Sequence, residues 1–140
     1  MSADPPIRVL IADDQLLFAE ALAGALSLDN RIEVVGIAAN GKEAVHLSGL
    51  LQPDVILMDL RMPLMDGVEA TRRIVGGDLP APRILVLTGS DNGEELKAAR
   101  EAGAAGYMTK DQSTLELTQT LTSLVSLAAA LNVAADQPVA

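Results

Sequence analysis

The 140-residue sequence has no cysteine, which excludes disulfides and thiolate metal centres and is compatible with a reducing compartment. It has no tryptophan, one phenylalanine (Phe18) and one tyrosine (Tyr107), so the core that its 49% hydrophobic residues can fill has to be aliphatic. Positive charge is scarce: ten Lys and Arg stand against nineteen Asp and Glu, a net charge of −9. Phosphate contacts are made mainly by clustered Lys and Arg, so this chain is not expected to bind nucleic acid or an anionic membrane by itself. No apolar run approaches the ~20 residues a bilayer requires, and no basic segment followed by an apolar one opens the chain. A soluble, cytoplasmic protein is expected.

What the sequence does contain is a regular alternation. Short apolar runs bounded by turn residues are separated by longer stretches of helical period, the pattern of a parallel sheet covered on both faces. It predicts five strands, near 7–12, 32–38, 55–59, 83–88 and 105–109. Helices are predicted near 15–28, 41–51, 67–76 and 92–102, with a last one over about 113–131. Phe18, Leu22, Ala25 and Leu26 form one apolar stripe, and Leu117, Leu121, Leu124, Val125 and Ala128 another. Gln52-Pro53 and the Gly76–Pro82 segment mark breaks. The expected organisation is an N-terminal tail over 1–6, one domain over 7–131, and a C-terminal tail or the start of a linker over 132–140.

In open α/β sheets, ligands bind beyond the carboxyl ends of the strands. Asp13 and Asp14 follow the first predicted strand, Asp59 closes the third, Thr88 the fourth, and Lys110 follows the fifth. Taken singly, each has an ordinary explanation. Asp13 or Asp14 could cap the first helix, Thr88 could be a plain β-branched strand residue, and Lys110 a solvated amine. Asp59 is harder to dismiss, since a carboxylate ending Val-Ile-Leu-Met meets apolar walls. As a set they predict one pocket. Its carboxylates would raise each other's pKa values unless a cation kept them ionised, and Mg²⁺, which takes oxygen ligands and retains waters, suits that task. An ionised Asp59 beside it could attack phosphorus to form an acyl phosphate, with Lys110 and the Thr88 hydroxyl neutralising the transferred group.

These strand-end residues, together with the segment Asp59-Leu60-Arg61-Met62-Pro63-Leu64-Met65-Asp66-Gly67, resemble the CheY-like receiver domain of two-component response regulators. The stretches Val35–Ala44 and Gly103–Asp111 are similar to the NarL/FixJ (LuxR-type) subfamily. The resemblance covers about residues 7–131. It implies a flavodoxin-like, doubly wound five-stranded sheet of order 2-1-3-4-5 with five helices. It further implies Asp59 as phosphoacceptor, Mg²⁺ held by Asp13, Asp14, Asp59 and the backbone carbonyl of Arg61, and Lys110 as phosphate contact. Thr88 would be the switch hydroxyl and Tyr107 the switch aromatic, with Arg61 and Ser90 tuning acyl-phosphate lifetime. The implied phosphoryl donor is a sensor histidine kinase, and the expected readers are a homodimer or an attached effector domain. Asp111 stands where many receivers carry proline after the lysine, so no cis-proline is expected there.

NarL-like regulators usually carry a C-terminal helix-turn-helix domain, and the 140 residues include no such segment. The chain is therefore expected to be the input half of a transcription regulator, reaching DNA only through that missing domain. The alternative is a stand-alone receiver acting as relay or phosphate sink. It is not expected to be an enzyme beyond taking part in its own phosphorylation and dephosphorylation. A haloacid-dehalogenase-type phosphatase would need a second acid two residues after the nucleophile, where this chain has Arg61. A nucleotide-binding module would need a Walker loop or GxGxxG after the first strand, and neither is present. His46 has no metal-binding companion at suitable spacing, and Asp66 reads as the cap of the third helix.

Overall fold

A computed structural model of the chain describes residues 5–89 and 92–136, with side chains described as far as residue 126. Strands β1 (Ile7–Ala12), β2 (Ile32–Ala38), β3 (Val55–Met58), β4 (Arg83–Thr88) and β5 (Gly106–Thr109) alternate with helices α1 (Leu16–Leu26), α2 (Gly41–Leu51), α3 (Gly67–Val75), α4 (Gly93–Ala102) and α5 (Thr114–Asp136). The strands form one sheet of order β2-β1-β3-β4-β5, every pairing parallel, as the resemblance implied. Strand and helix ends fall within about two residues of the sequence prediction, with one exception. The last helix continues beyond 131 to Asp136, because Val133-Ala134-Ala135 offers helix-compatible residues and no breaker intervenes before Pro138. Ser90 and the tail beyond 136 lie outside the described residues, as does the Ala128 side chain of the predicted α5 stripe.

Strand parity divides the core into two layers. Val9, Ile11, Val55, Leu57, Leu85, Leu87 and Met108 point to one face, where they meet Ala19 and Leu26 of α1 and Leu117 and Leu121 of α5. Leu10, Ala12, Ile56, Met58 and Ile84 point to the other, against Ala44 of α2 and Ala70 and Ile74 of α3. Leu60, Val86 and Ala99 continue that second layer under α4. Both β1 and β3 bury apolar side chains on either face, which is why they read as unbroken apolar runs rather than alternating ones.

Local chemistry sets the helix ends. Asn40, Asp66 and Asn92 cap α2, α3 and α4 by accepting the Glu43, Glu69 and Glu94 amides at 2.8, 2.9 and 3.1 Å. Gln52 takes a left-handed conformation (φ 47°) ahead of Pro53 and ends α2. Ser27 ends α1, whose N-cap residue Gln15 makes no capping side-chain bond.

The loop from Asp59 to Gly67 is held by close approach. The Gly67 amide donates to the Leu60 carbonyl at 2.9 Å, and a Cβ on Gly67 would stand 2.0 Å from the Asp59 carbonyl oxygen. Met62 is buried and Met65 packs on the second layer, so the two methionines pin the loop from beneath. Gly67→Ala is expected to lower stability by about 1–3 kcal/mol, because backbone rather than a flexible side chain has to yield. Gly24, exposed in mid-α1 with nothing near its missing Cβ, is the control. Gly24→Ala is expected to raise stability by about 0.5–1 kcal/mol. Urea unfolding of the two variants checks both signs.

Candidate functional site

Three backbone hydrogen bonds carry the sheet one rung past its strands. The Asp13 amide donates to the Ala38 carbonyl (2.9 Å), the Asp59 amide to Ala12 (2.9 Å) and the Lys110 amide to Thr88 (2.8 Å). Asp13, Asp59 and Lys110 are thus fixed in register rather than left on free loops. Each stands two residues beyond a side chain of the α1/α5 layer, namely Ile11, Leu57 and Met108, so all three share that face. Thr88 and Tyr107 have the opposite parity and belong to the face covered by α4.

Of the residues predicted to share a pocket, the three aspartates and Lys110 come together. Carboxylate oxygens of Asp13, Asp14 and Asp59 lie within 4.8 Å of one another. Asp13 and Asp59 are buried, whereas Asp14 is exposed and opens the cluster to solvent. The Lys110 ammonium is 2.7 Å from Asp13 Oδ2 and 3.4 Å from Asp59 Oδ2. Thr88 is buried at the end of β4. Arg61 is exposed; its amide points to Asp59 Oδ1 at 3.4 Å, while its guanidinium pairs with Glu95 of α4 at 3.3 Å. Tyr107 stands half-exposed on β5, beside a space of only about 10 Å³ among Val86, Leu96 and Ala99.

Neither aspartate of the pair is the N-cap of α1. Asp13 Oδ1 instead accepts the Gln15 amide at 2.8 Å, which orients its carboxylate into the pocket. Sequence reasoning missed three participants. Gln15 Oε1 lies 3.1 Å from the Lys110 ammonium, and the Phe18 ring centroid lies 4.7 Å from it. Glu95, the partner of Arg61, was the third. The i, i+3 spacing of Gln15 and Phe18 on the first turn of a helix that starts at the acidic pair was the available signal.

The donor set consists of hard oxygens, with one exposed edge for entry, and suits a small divalent cation that keeps part of its water. Nitrogen or sulfur ligands that would favour a transition metal are not among the clustered groups.

The Asp59 carboxyl is pushed above the usual carboxylate range, first by loss of hydration and further by Asp13, while Lys110 pulls it partly back. A carboxyl with a folded pKa above its unfolded value binds more protons folded than unfolded between the two values, so stability falls as pH rises through that window. Below the unfolded value of ~3.9 the penalty is absent; above the folded value it is complete. Asp59→Asn is therefore expected to be more stable than the wild type at pH 7 without divalent cations, with the gain shrinking as pH falls toward 4. Urea midpoints across that range check this, and a wild type that is the more stable at pH 7 contradicts it.

Comparison with known proteins matches the fold. The response regulator receiver domain family covers residues 9–122. The transcriptional regulatory protein LnrK of Bacillus subtilis is 40% identical over 107 residues, which are 76% of this chain and 48% of LnrK. A protein-glutamate methylesterase/protein-glutamine glutaminase of Photobacterium profundum is 41% identical over 105 residues, 74% of this chain and 26% of that enzyme. Among solved structures, the signal receiver domain of the response regulator NarL from Mycobacterium tuberculosis superposes with a TM-score of 0.82 at 34% identity, covering 88% of this chain and 98% of that one. The chain thus spans about half the length of LnrK and about a quarter of the methylesterase. With its sheet order, its strand-end aspartates and these likenesses, the chain belongs to the response regulator receiver domain family, among relatives of NarL/LuxR type.

Proposed function

We propose that this domain accepts a phosphoryl group on Asp59 from a sensor histidine kinase and serves as the input half of a cytoplasmic NarL/LuxR-type transcription regulator. The observation that carries the reading is the convergence of the Asp13, Asp14 and Asp59 carboxylates within 4.8 Å, with the Lys110 ammonium against two of them. An Asp59 oxygen forms the new bond to phosphorus as the bond to the donor nitrogen breaks in line, and the leaving imidazole keeps the electron pair. Lys110 and the Thr88 hydroxyl meet the phosphoryl oxygens. Mg²⁺, when held by Asp13, Asp14, Asp59 and the Arg61 carbonyl, supplies further neutralisation of that charge.

The outward Tyr107 fits a resting state, since a space of about 10 Å³ cannot take a phenol ring. In this reading Thr88 moves toward the phosphate, and Tyr107, on the same face, follows into the room it leaves. The surface of α4, β5 and α5 then changes for a reader, either a second copy or an attached effector domain. Charge-assisted bonds contribute about 1.5–3 kcal/mol each, and shifting an equilibrium from 1:99 to 99:1 takes about 5.5 kcal/mol. Three such contacts are enough if most of them form only after phosphorylation.

A phosphatase reading is disfavoured, because Arg61 occupies the position of the required acid and its guanidinium faces Glu95. Incubation with acetyl phosphate and Mg²⁺ is expected to add the mass of one phosphoryl group to the wild type and none to Asp59→Asn. Equal gain in both would sink the assignment, and sustained turnover of a chromogenic phosphomonoester would favour the phosphatase. Mg²⁺ at 100 times its dissociation constant is expected to stabilise the wild type by about 2.7 kcal/mol. Asp14→Asn is expected to lose most of that gain in a thermal melt.

A further inference from the structure

We propose that Gln15 and Phe18 form a neutral cradle that keeps the Lys110 ammonium beside Asp59 when a divalent cation takes up the carboxylates of the pocket. The inference rests on the reading of Asp59 as phosphoacceptor and adds two positioning residues to it.

The Lys110 ammonium has three N–H donors and three oxygen neighbours: Asp13 Oδ2 at 2.7 Å, Gln15 Oε1 at 3.1 Å and Asp59 Oδ2 at 3.4 Å. Two of the three are carboxylates that a metal ion needs. A divalent cation among Asp13, Asp14 and Asp59 both competes for those oxygens and repels the ammonium, since like charges a few ångströms apart in a partly buried site are poorly screened. A lysine held by carboxylates alone would swing into solvent at the moment its charge is required. The amide oxygen of Gln15 and the face of the Phe18 ring, 4.7 Å from the ammonium, attract it without attracting the metal strongly.

Both residues are committed to this task in other respects. Gln15 is the N-cap residue of α1, yet its side chain makes no capping bond and turns to Lys110, while its amide fixes Asp13. Phe18, the only phenylalanine in the chain, is partly buried against the α1/α5 layer, which stiffens the ring. It also borders a cavity of about 210 Å³ between α1 and α5, so a larger ring can be accommodated there.

The chain offers an uncommonly clean readout. It has three lysines, Lys42, Lys97 and Lys110, and its aromatic side chains are Phe18, Tyr107 and His46. A lysine whose ε-methylene protons are shifted upfield by a ring current can be assigned to Lys110 through its loss in Phe18→Leu. In the wild type that shift is expected to persist when Mg²⁺ is titrated to saturation. Phe18→Leu and Gln15→Leu are expected to bind Mg²⁺ as the wild type does, and to take phosphate from acetyl phosphate about three- to tenfold more slowly; Phe18→Trp is expected to restore both shift and rate. Collapse of the wild-type shift on Mg²⁺ addition overturns the cradle. So does a wild-type phosphorylation rate in both leucine variants, or a Phe18→Trp variant that folds but stays as slow as Phe18→Leu. Failure of the wild type itself to be phosphorylated overturns the phosphoacceptor reading instead, and removes the purpose of the cradle with it.

Discussion

At the carboxyl edge of the sheet, the Lys110 ammonium sits 2.7 Å from one buried aspartate and 3.4 Å from another. Carboxylates gathered within 4.8 Å repel each other, and burial withdraws the water that would screen them. An ammonium in contact with both makes the arrangement tolerable without making it comfortable, as the upward displacement of the Asp59 pKa records. The site is therefore poised: it gains from added positive charge. That imbalance is the constraint on which the remaining architecture depends, because it has to be held against its own repulsion.

The sheet does the holding. Hydrogen bonds beyond the strand ends lock the backbones of Asp13, Asp59 and Lys110 in register, so the repulsion cannot be relieved by letting a loop drift. The approach of Gly67 to the Asp59 carbonyl and the burial of Met62 close the remaining route, along the loop that follows β3. Strand parity then separates two duties. Asp13, Asp59 and Lys110 occupy the α1/α5 face, with Gln15 and Phe18 beside the lysine, while Thr88 and Tyr107 occupy the α4 face. In the proposed reaction, charge is handled on one side of the sheet and its consequence is displayed on the other. In that proposal the end of β4, where Thr88 is buried, links the two.

Much of this was legible from the chain. Unbroken apolar runs such as Val55-Ile56-Leu57-Met58 announce strands buried on both faces, and Asp66 announces the start of α3 by its capping chemistry. Asp59 stood out because an ionisable group ending such a run has no innocuous explanation. The same local reasoning failed for Gln15 and Phe18. Glutamine at a helix start and a phenylalanine on an apolar stripe are ordinary, and nothing nearby in sequence indicates that Lys110, 95 residues after Gln15, lands between them. It failed likewise for Glu95 of α4, whose partner Arg61 lies on the loop after β3.

By itself, then, the sequence determined which residues carry charge and which segments become strands and helices. Those properties are short-range: they follow from hydrophobic pattern and capping over a few residues. Only the tertiary structure decided the distances, namely that the lysine leans on Asp13 more closely than on Asp59, that Asp14 is the solvent-facing member, and that an amide oxygen and a ring complete the lysine's surroundings. Distances among groups far apart in the chain are set by strand order and register, and the energies that matter at this site vary steeply over single ångströms.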